Sequence, residues 1–515
     1  MRKAGSSLVR KGQQLSKASL KRSLSTATPP SVKITTLPNK IRVATELTPG
    51  HFSSVGLYID AGSRYEAPES SGVSHFLDRM AFKSTRTRTD AEMSNAVHSL
   101  GGQIMCSSSR ESIMYQSSHF HTATPEALSL ISDTVLNPSF LAEEIEAQRD
   151  AAFYEGREIS SKPDMILPEI LHNVAYGNKG LGNPLLCPED RINSINEGTL
   201  RAAMREWYKP ERMVVAGAGM QHELLVELTD KYFSSLKSGP VLPLSQTRTS
   251  QLPPHLLSPT SPALNKSLTR AASYLFPNAV SDSVISRDST YTGGHRFILD
   301  TKQEFNHLYV AFEGVGIHDD DIYALATMQV LLGGGGSFSA GGPGKGMYSR
   351  LYTHILNHFP QVDHCASFHH IYTDSSLFGL FASFVPASSG IRGGNTPSQI
   401  LPHLVHQLSL LLYTPIPESE LSRAKNQLKS SLMMALESRA VEVEDLGRQV
   451  LVHDRKIPVT EMTDKIDVLK PEDIRRVATR VFGPQSGNKP TVVCMGHDET
   501  GAWEEVFTKY SVAAP

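Results

Sequence analysis

The 515-residue chain has only four cysteines, and none of them forms a C-x-x-C pair. They lie far apart along the chain: Cys106, Cys187, Cys365 and Cys494. This spacing argues against a disulfide framework or a thiolate metal site, and it indicates a reducing compartment. Long apolar runs are absent too, since even residues 377–385 are interrupted by Gly379 and Ser383. We therefore predict no transmembrane segment, so that any membrane contact is peripheral.

Acidic residues are absent from the first 45 positions, and Glu46 is the first of them. Residues 1–24 instead carry seven Lys and Arg together with several serines, and Leu8, Leu15 and Ala18 fall on roughly one side of a helix. This pattern is typical of a mitochondrial transit peptide, which we assign to residues 1–24. The alternative is a basic arm that binds nucleic acid or anionic lipid. Against it, the cations stop near residues 22–25, which resemble a matrix cleavage site.

The net charge changes once this segment is set aside. The whole chain has 50 basic and 52 acidic residues, so removing the seven N-terminal cations leaves 43 basic residues and a net charge of about −9. An acidic mature protein is a poor ligand for nucleic acid. It suits cationic peptides instead.

Size and composition indicate a globular protein. Apolar residues make up 39% of the chain and charged residues 20%, which is enough to close several cores and excludes general disorder. The length allows roughly three to four compact units and excludes a single small module.

The chain contains an internal duplication, visible when it is aligned with itself at an offset of about 275 residues. Three blocks of strand and helix pattern recur in the same order, and they begin near residues 55, 136 and 200 in one half and near 308, 412 and 474 in the other. We predict an α+β protein of two homologous halves, each a largely antiparallel sheet with helices packed on one face. The halves are residues 33–237 and 291–515, joined by a long Pro/Ser-rich linker at 238–290.

The helix of the first block carries a degenerate zinc motif, His75-Phe76-Leu77-Asp78-Arg79. In an intact H-x-x-E-H helix, two imidazoles one turn apart bind Zn²⁺ and the Glu polarises the metal-bound water. Here Arg79 replaces the second imidazole with a cation that has no lone pair, and Asp78 has a shorter reach than Glu. An active peptidase site is therefore disfavoured.

A glycine-rich loop follows the first helix of the second half, with eight glycines among residues 333–346. Ordering such a segment costs about 1–2 kcal/mol per residue without burying side chains, so we expect it to stay mobile until something binds. A phosphate-binding loop is one alternative, but a helix precedes this loop and Gly346 follows Lys345 where Ser or Thr is needed. A plain flexible linker is the other alternative, and the embedded Phe338 speaks against it.

The duplicated halves, the degenerate motif and this loop together resemble the α subunits of the mitochondrial processing peptidase. The resemblance covers nearly the whole chain after the transit segment. It implies a metal-free, non-catalytic subunit in the mitochondrial matrix that helps to bind cationic presequence peptides of imported proteins. It also implies a catalytic β subunit as partner, with an intact H-x-x-E-H motif and the zinc. No cofactor is expected in this chain.

The same resemblance also indicates which residues stand at two further positions of the site. A third ligand of the family falls on Glu155, which keeps its carboxylate, whereas an accompanying acid falls on Gln148 and has lost its charge. We expect His75, Asp78, Arg79 and Glu155 to form a hydrogen-bonded ionic cluster, with residual zinc binding as the alternative.

For the loop, the resemblance implies a role in substrate capture or product release. The residues expected to bind substrate are Gly333, Gly334, Gly335, Gly336, Ser337, Phe338, Gly341, Gly342, Gly344, Lys345 and Gly346. Two acidic runs are candidates for a cavity that attracts the cationic peptide, although each is also typical of a solvated helix face: Glu143, Glu144 and Glu146, and Glu437, Glu442, Glu444 and Asp445.

Two rival functions remain at this point. The core proteins of respiratory complex III share the duplicated fold and also lose the zinc motif, so a structural role with peripheral association to inner-membrane complexes is the main alternative. An active metallopeptidase acting alone is the second, and Arg79 and Gln148 disfavour it.

Overall fold

The computed structural model describes residues 32–237, 289–336, 347–387 and 394–514. The predicted transit peptide, nearly all of the predicted linker and residues 337–346 of the glycine-rich loop lie outside the described residues. Within those ranges, no helix is long and apolar enough to cross a membrane.

The first half is built on a six-stranded sheet with the strand order β1-β2-β6-β3-β5-β4. All neighbouring strands are antiparallel except β2 and β6. The strands are β1 (Val32–Thr36), β2 (Arg42–Glu46), β3 (Phe52–Ile59), β4 (Gln103–Ser108), β5 (Ile113–Phe120) and β6 (Met213–Ala218).

The second half repeats this plan with the order β7-β12-β8-β11-β10-β9, in which only β7 and β12 are parallel. Its strands are β7 (Gly294–Leu299), β8 (Asn306–Val315), β9 (Gly334–Gly336), β10 (Val362–Ile371), β11 (Ser375–Phe384) and β12 (Thr491–Gly496).

Five strands of each sheet correspond in order and direction, which confirms the predicted fold of two similar halves. In this correspondence β2, β6, β3, β5 and β4 match β7, β12, β8, β11 and β10. Each sheet then has one additional strand, and the two lie at opposite ends. Sheet one adds β1 beside β2, whereas sheet two adds β9 beside β10.

Seven helices are described in each half. Those of the first half are α1 (Val73–Arg79), α2 (Asp90–Ser99), α3 (Thr124–Leu136), α4 (Ala142–Ser160), α5 (Pro163–Tyr176), α6 (Glu197–Trp207) and α7 (His222–Phe233). Those of the second half are α8 (Ile322–Leu332), α9 (Pro397–Tyr413), α10 (Glu418–Ala435), α11 (Arg439–His453), α12 (Val459–Asp467), α13 (Pro471–Phe482) and α14 (Trp503–Lys509).

Side chains alternate between two cores on either face of each sheet, because successive residues of a strand point to opposite faces. On β3, Val55 and Leu57 enter the main core of the first half, while Tyr58 enters a smaller core on the other face. On β8, Leu308 and Val310 likewise enter the main core of the second half, whereas Tyr309 points to the opposite face.

The smaller cores are formed by helices that cross from one half to the other. Helix α11 packs on the outer face of sheet one, where Leu446 and Val450 join Tyr58, and α5 packs on sheet two through Leu167 and Leu171. The sequence pattern did not indicate this exchange. Burying a leucine side chain contributes about 1.5–3 kcal/mol, so several such contacts tie the halves into one body.

One glycine allows α11 to approach sheet one closely. A Cβ atom on Gly447 would lie 2.2 Å from the ring of Tyr58. The helix therefore accepts a glycine at a cost of about 1 kcal/mol in helix propensity in return for close packing on the strand.

Candidate functional site

Helix α1, which carries the degenerate motif, is held at its start by the buried carboxylate of Glu66. One oxygen of Glu66 accepts from the backbone N–H of Gly72 at 2.7 Å, and the other accepts from the N–H and hydroxyl of Ser74 at 2.7 and 2.6 Å. Burial raises the pKa of Glu66 to about 7, and these hydrogen bonds act in the opposite direction. Because the bonds satisfy free donors of the first helical turn, they set where α1 begins.

Three residues of the degenerate site meet at one carboxylate oxygen. His75 and Arg79 lie one turn apart on the same face of α1, and Glu155 faces them from α4. The Nε2 atom of His75 lies 3.3 Å from Oε2 of Glu155, and Nη1 of Arg79 donates to that same oxygen. The three side chains thus form an ionic cluster, with Arg79 and Glu155 about one-fifth exposed.

The other ring nitrogen of His75 determines its protonation pattern. Nδ1 accepts the backbone N–H of Cys187 at 3.2 Å, so a neutral ring carries its proton on Nε2 and donates it toward Glu155. A histidine that binds zinc needs the opposite arrangement, in which one nitrogen offers a lone pair to the metal and the other donates to an acceptor. The environment of His75 is therefore wrong for a ligand even before Arg79 is considered.

Asp78 connects α1 to the neighbouring strand β4. Its Oδ2 accepts from the backbone N–H of Ser108 at 2.9 Å and from the hydroxyl of that residue at 3.3 Å. The carboxylate thus fastens α1 to the end of β4. Of the four residues expected to cluster, His75, Arg79 and Glu155 meet at one carboxylate oxygen, and Asp78 also binds Ser108 on β4. Gln148 lies half-buried on α4, two turns before Glu155.

These residues do not fit a zinc ion. They offer a protonated Nε2, a guanidinium that is always charged, and a carboxylate already in an ion pair. Across the described parts of the chain, no group of three His, Cys, Asp or Glu residues is placed to hold a metal. The geometry thus provides an ion pair at the position of the motif.

The glycine-rich loop begins as an ordered strand, which differs from our expectation for its first residues. Gly334, Gly335 and Gly336 form β9 and pair with Ala366, Cys365 and His364 of β10. Gly333 ends α8 at a φ of 59° and Gly334 has a φ of 113°, a region that only glycine adopts readily. A Cβ on Gly334 would also lie 2.1 Å from the carbonyl oxygen of Cys365, so this close approach requires glycine. The remaining predicted substrate-binding residues, Ser337, Phe338, Gly341, Gly342, Gly344, Lys345 and Gly346, lie outside the described residues.

The acidic run on α11 is not a surface for cationic peptides. Glu442, Glu444 and Asp445 are buried between the halves, where they pair with Arg439, Arg448 and Lys456. The prediction of a solvated or cavity-facing run is therefore wrong for these three, because α11 inserts between sheet one and the second half. Glu437 just before the helix is exposed.

The acidic run on α4 remains closer to what the sequence indicates. Glu143 and Glu146 are exposed, whereas Glu144 accepts from the hydroxyl of Ser84 at 2.5 Å. Glu146 pairs with Arg149 one turn along the helix. Only Glu143 of this run lacks a described partner, so α4 offers a modest negative face.

Two residues that shape the site were not singled out from the sequence. Glu66 caps α1 from just outside the helix, and a carboxylate shortly before a helix is a recognisable signal of this kind. Cys187 lies 112 residues from His75, and no local pattern predicts a contact over that distance. Burial raises the pKa of the Cys187 thiol to about 12, which keeps it protonated and unreactive.

Comparison with family models identifies the class of fold. Residues 42–189 match the model described as insulinase (peptidase family M16), and residues 194–428 match the peptidase M16 inactive domain. A solved structure entitled "The crystal structure of a protease from Helicobacter pylori" superposes with a TM-score of 0.73 over 91% of this chain and 99% of its own, at 19% identity. The fold is therefore the two-halved fold of the M16 peptidases.

Curated relatives narrow this class. The mitochondrial-processing peptidase subunit alpha of Neurospora crassa is 48% identical over 501 residues, which cover 89% of this chain and 85% of that protein. The probable subunit alpha of Schizosaccharomyces pombe is 39% identical, with coverages of 91% and 87%. The human subunit alpha is 34% identical, with coverages of 90% and 82%. The chain belongs to the family of mitochondrial-processing peptidase α subunits.

Proposed function

We propose that this chain is the non-catalytic, substrate-recognising subunit of a heterodimeric mitochondrial processing peptidase, which removes cationic N-terminal presequences from imported precursors. Its partner is a catalytic β subunit that holds zinc in an intact H-x-x-E-H motif, and the assembly works in the mitochondrial matrix. Zinc chemistry thus belongs to the partner and not to this chain.

The observation that carries the proposal is the ion pair at the degenerate site. Arg79 donates to the carboxylate of Glu155, and His75 points its Nε2 at the same oxygen. In this arrangement the only imidazole presents an N–H and the neighbouring side chain is a cation, so the site lacks the pair of imidazole lone pairs that an intact motif offers a metal. The likeness to α subunits and the match to the inactive domain support the same non-catalytic role.

Charge supports the choice of substrate. A mature chain with a net charge of about −9 raises the local concentration of cationic peptides, and the effect weakens as salt screens it over a Debye length of about 8–10 Å. The glycine-rich loop, for which the sequence resemblance implies substrate contact, supplies the second element of recognition in this proposal.

The alternative of a complex III core subunit has less support. The three relatives compared above, which cover 89%, 91% and 90% of this chain, are named as processing peptidase subunits. Nothing in the described residues favours the structural role over this one.

Co-expression with a β subunit tests the proposal. We expect a stable heterodimer on gel filtration that binds a fluorescent presequence peptide, with affinity that falls as salt is raised from 50 to 300 mM. A β subunit carrying a mutated zinc motif is the matched control, because it should preserve assembly and binding while abolishing cleavage. Failure of the two chains to associate, or peptide binding that is the same without this chain, would contradict the proposal.

A further inference from the structure

The edge of β10 is covered in an unusual way. In sheet one the corresponding strand β4 is the last strand, and no other described strand pairs with its outer edge. In sheet two the three-glycine strand β9 takes that outer position beside β10. The glycine-rich loop therefore begins as an added strand, β9, on the outer edge of β10. At the corresponding edge of β4 in the first half, no described strand is added.

The attachment of β9 is firm at one end and slight at the other. Gly333 is held at its carbonyl oxygen by the backbone N–H of Ser367 at 2.8 Å, and the N–H of Gly334 donates to the hydroxyl of Ser349 at 3.0 Å. Farther along, a Cβ on Gly335 would meet nothing within 4 Å, and one on Gly336 would meet only atoms beyond 3.6 Å. Among the described residues, these outer two glycines are held to β10 through the main chain only.

A strand without side chains is a weak occupant of a sheet edge. It makes main-chain hydrogen bonds but adds no apolar side chain to either face, and glycine loses more conformational freedom on ordering than any other residue. A peptide with side chains can form the same main-chain bonds and add contacts of its own, which is how extended peptides bind to sheet edges.

The surroundings of this edge favour a cationic peptide. His364 lies opposite Gly336, and burial lowers its pKa. The carboxylates of Asp363 and of the exposed Asp164 on α5 act in the opposite direction and raise that pKa, which places negative charge near this edge. A Lys or Arg of a paired peptide near position 364 would meet this negative charge.

We propose that β10 is a binding edge for an extended segment of the cationic substrate peptide, and that Gly335 and Gly336 occupy this edge until the peptide replaces them. This inference rests on the proposed function. It assigns the bound peptide to residues 364–366 of the second half. Because recognition runs through main-chain bonds, it tolerates peptides of varied sequence.

A reversible cross-link tests the inference. Since Ser367 bonds to Gly333, the alternation of an antiparallel ladder makes Gly336 and His364 a non-hydrogen-bonded pair, with Cα atoms about 4.5 Å apart and suitable for a disulfide. Gly336 also lacks the left-handed φ of its three neighbours, so cysteine fits there. The double variant Gly336→Cys with His364→Cys, assembled with its β subunit, locks β9 onto β10 when oxidised.

We expect the oxidised heterodimer to bind a fluorescent presequence peptide at least tenfold more weakly than the same protein after reduction. Wild-type heterodimer taken through the same oxidation controls for the four native cysteines, and peptide mapping identifies the bond formed. Equal affinity in the two redox states would overturn the inference.

Hydrogen exchange on the wild-type heterodimer gives a second readout that needs no variant. On adding peptide, residues 335–336 should exchange faster while residues 365–367 stay protected. Unchanged exchange in both segments would contradict displacement. Deleting residues 333–346 removes the competing strand β9 together with the predicted contacts of the rest of the loop, so its effect on affinity does not report on displacement. If the cross-link leaves binding unchanged while the heterodimer still binds the peptide, this inference fails and the proposed function stands. If the heterodimer binds the peptide no better than the β subunit alone, the proposed function fails as well.

Discussion

Restoring the two missing motif residues is the most instructive perturbation of the degenerate site. The variant Asp78→Glu with Arg79→His supplies H-x-x-E-H beside Glu155. Without metal it should be less stable than the wild type, because Glu155 loses its guanidinium partner and Ser108 loses its bonds to Asp78. The Arg79–Glu155 pair is partly buried, so we place its loss between surface and buried pairs, at about 1–3 kcal/mol. The lost hydrogen bonds add about 1 kcal/mol.

Zinc should return part of this stability but not catalysis. A free concentration about 100 times the dissociation constant stabilises a folded protein by about 2.7 kcal/mol. The N–H of Cys187 still faces Nδ1 of His75, however, and a zinc-bound ring would have to place a proton there. A hydrogen-bond partner that does not suit a metal ligand costs about 10–100-fold in metal affinity or activity. Gln148, which stands where an acidic residue is expected, adds a second mismatch of this kind.

The assay combines chemical unfolding with and without Zn²⁺, metal content after gel filtration, and cleavage of a presequence peptide. The matched control is Asp78→Glu with Arg79→Ala, which lacks the second imidazole and should show no zinc-dependent stabilisation. Cleavage by the repaired chain alone at a rate near that of an intact heterodimer would refute the account of why this chain is inactive.

Three further predictions concern the loop, the interface between the halves and pH. Deleting residues 333–346 should leave a heterodimer of normal size on gel filtration and lower presequence affinity or turnover tenfold or more. A tenfold change corresponds to a free-energy difference of about 1.4 kcal/mol. Loss of the heterodimer would instead show that the loop is structural. Arg448→Ala should lower the free energy of unfolding by about 3–5 kcal/mol, because Arg448 is fully buried and donates to Glu444 and Ser112 at 3.0 and 2.6 Å. The control is Arg205→Ala on α6, where the side chain is exposed and the substitution should change thermal unfolding little. Burial raises the pKa of Glu66 to about 7 in the folded state, against an ordinary value of 4.5. Between these two pH values the folded state keeps a proton that the unfolded state releases, so the free energy of unfolding falls as pH rises. Once pH is above 7, the total loss is about 3 kcal/mol. Urea unfolding at pH 5 and pH 8 should therefore show a larger loss for the wild type than for Glu66→Gln, and equal losses would contradict the assignment.

Much of the fold could be predicted because periodic patterns report local structure directly. The repeated blocks predicted near residues 55 and 308 are the strands β3 and β8, and those near 200 and 474 are the helices α6 and α13. The exchange of α5 and α11 could not be read in this way. An apolar stripe shows that a helix face is buried, but not which sheet covers it.

The strand β9 was missed for a related reason. Glycine is depleted in strands, so three glycines in a row predict a loop, and only the long-range pairing with β10 makes them a strand. The same holds for the acidic run on α11, whose charges suggest solvent until Arg448 and Lys456 are placed against them. At the candidate site, the motif brought attention to His75 and Arg79 and the family resemblance to Glu155, whereas the contact of Cys187 depended on the folded chain.

The central claim, that this chain recognises substrate without cutting it, is tested most directly by presequence cleavage with the purified components. The chain alone in zinc-replete buffer, with any β subunit excluded by mass spectrometry, should leave the peptide intact and carry no stoichiometric zinc, and addition of the β subunit should start cleavage. Processing by the chain alone would contradict the account.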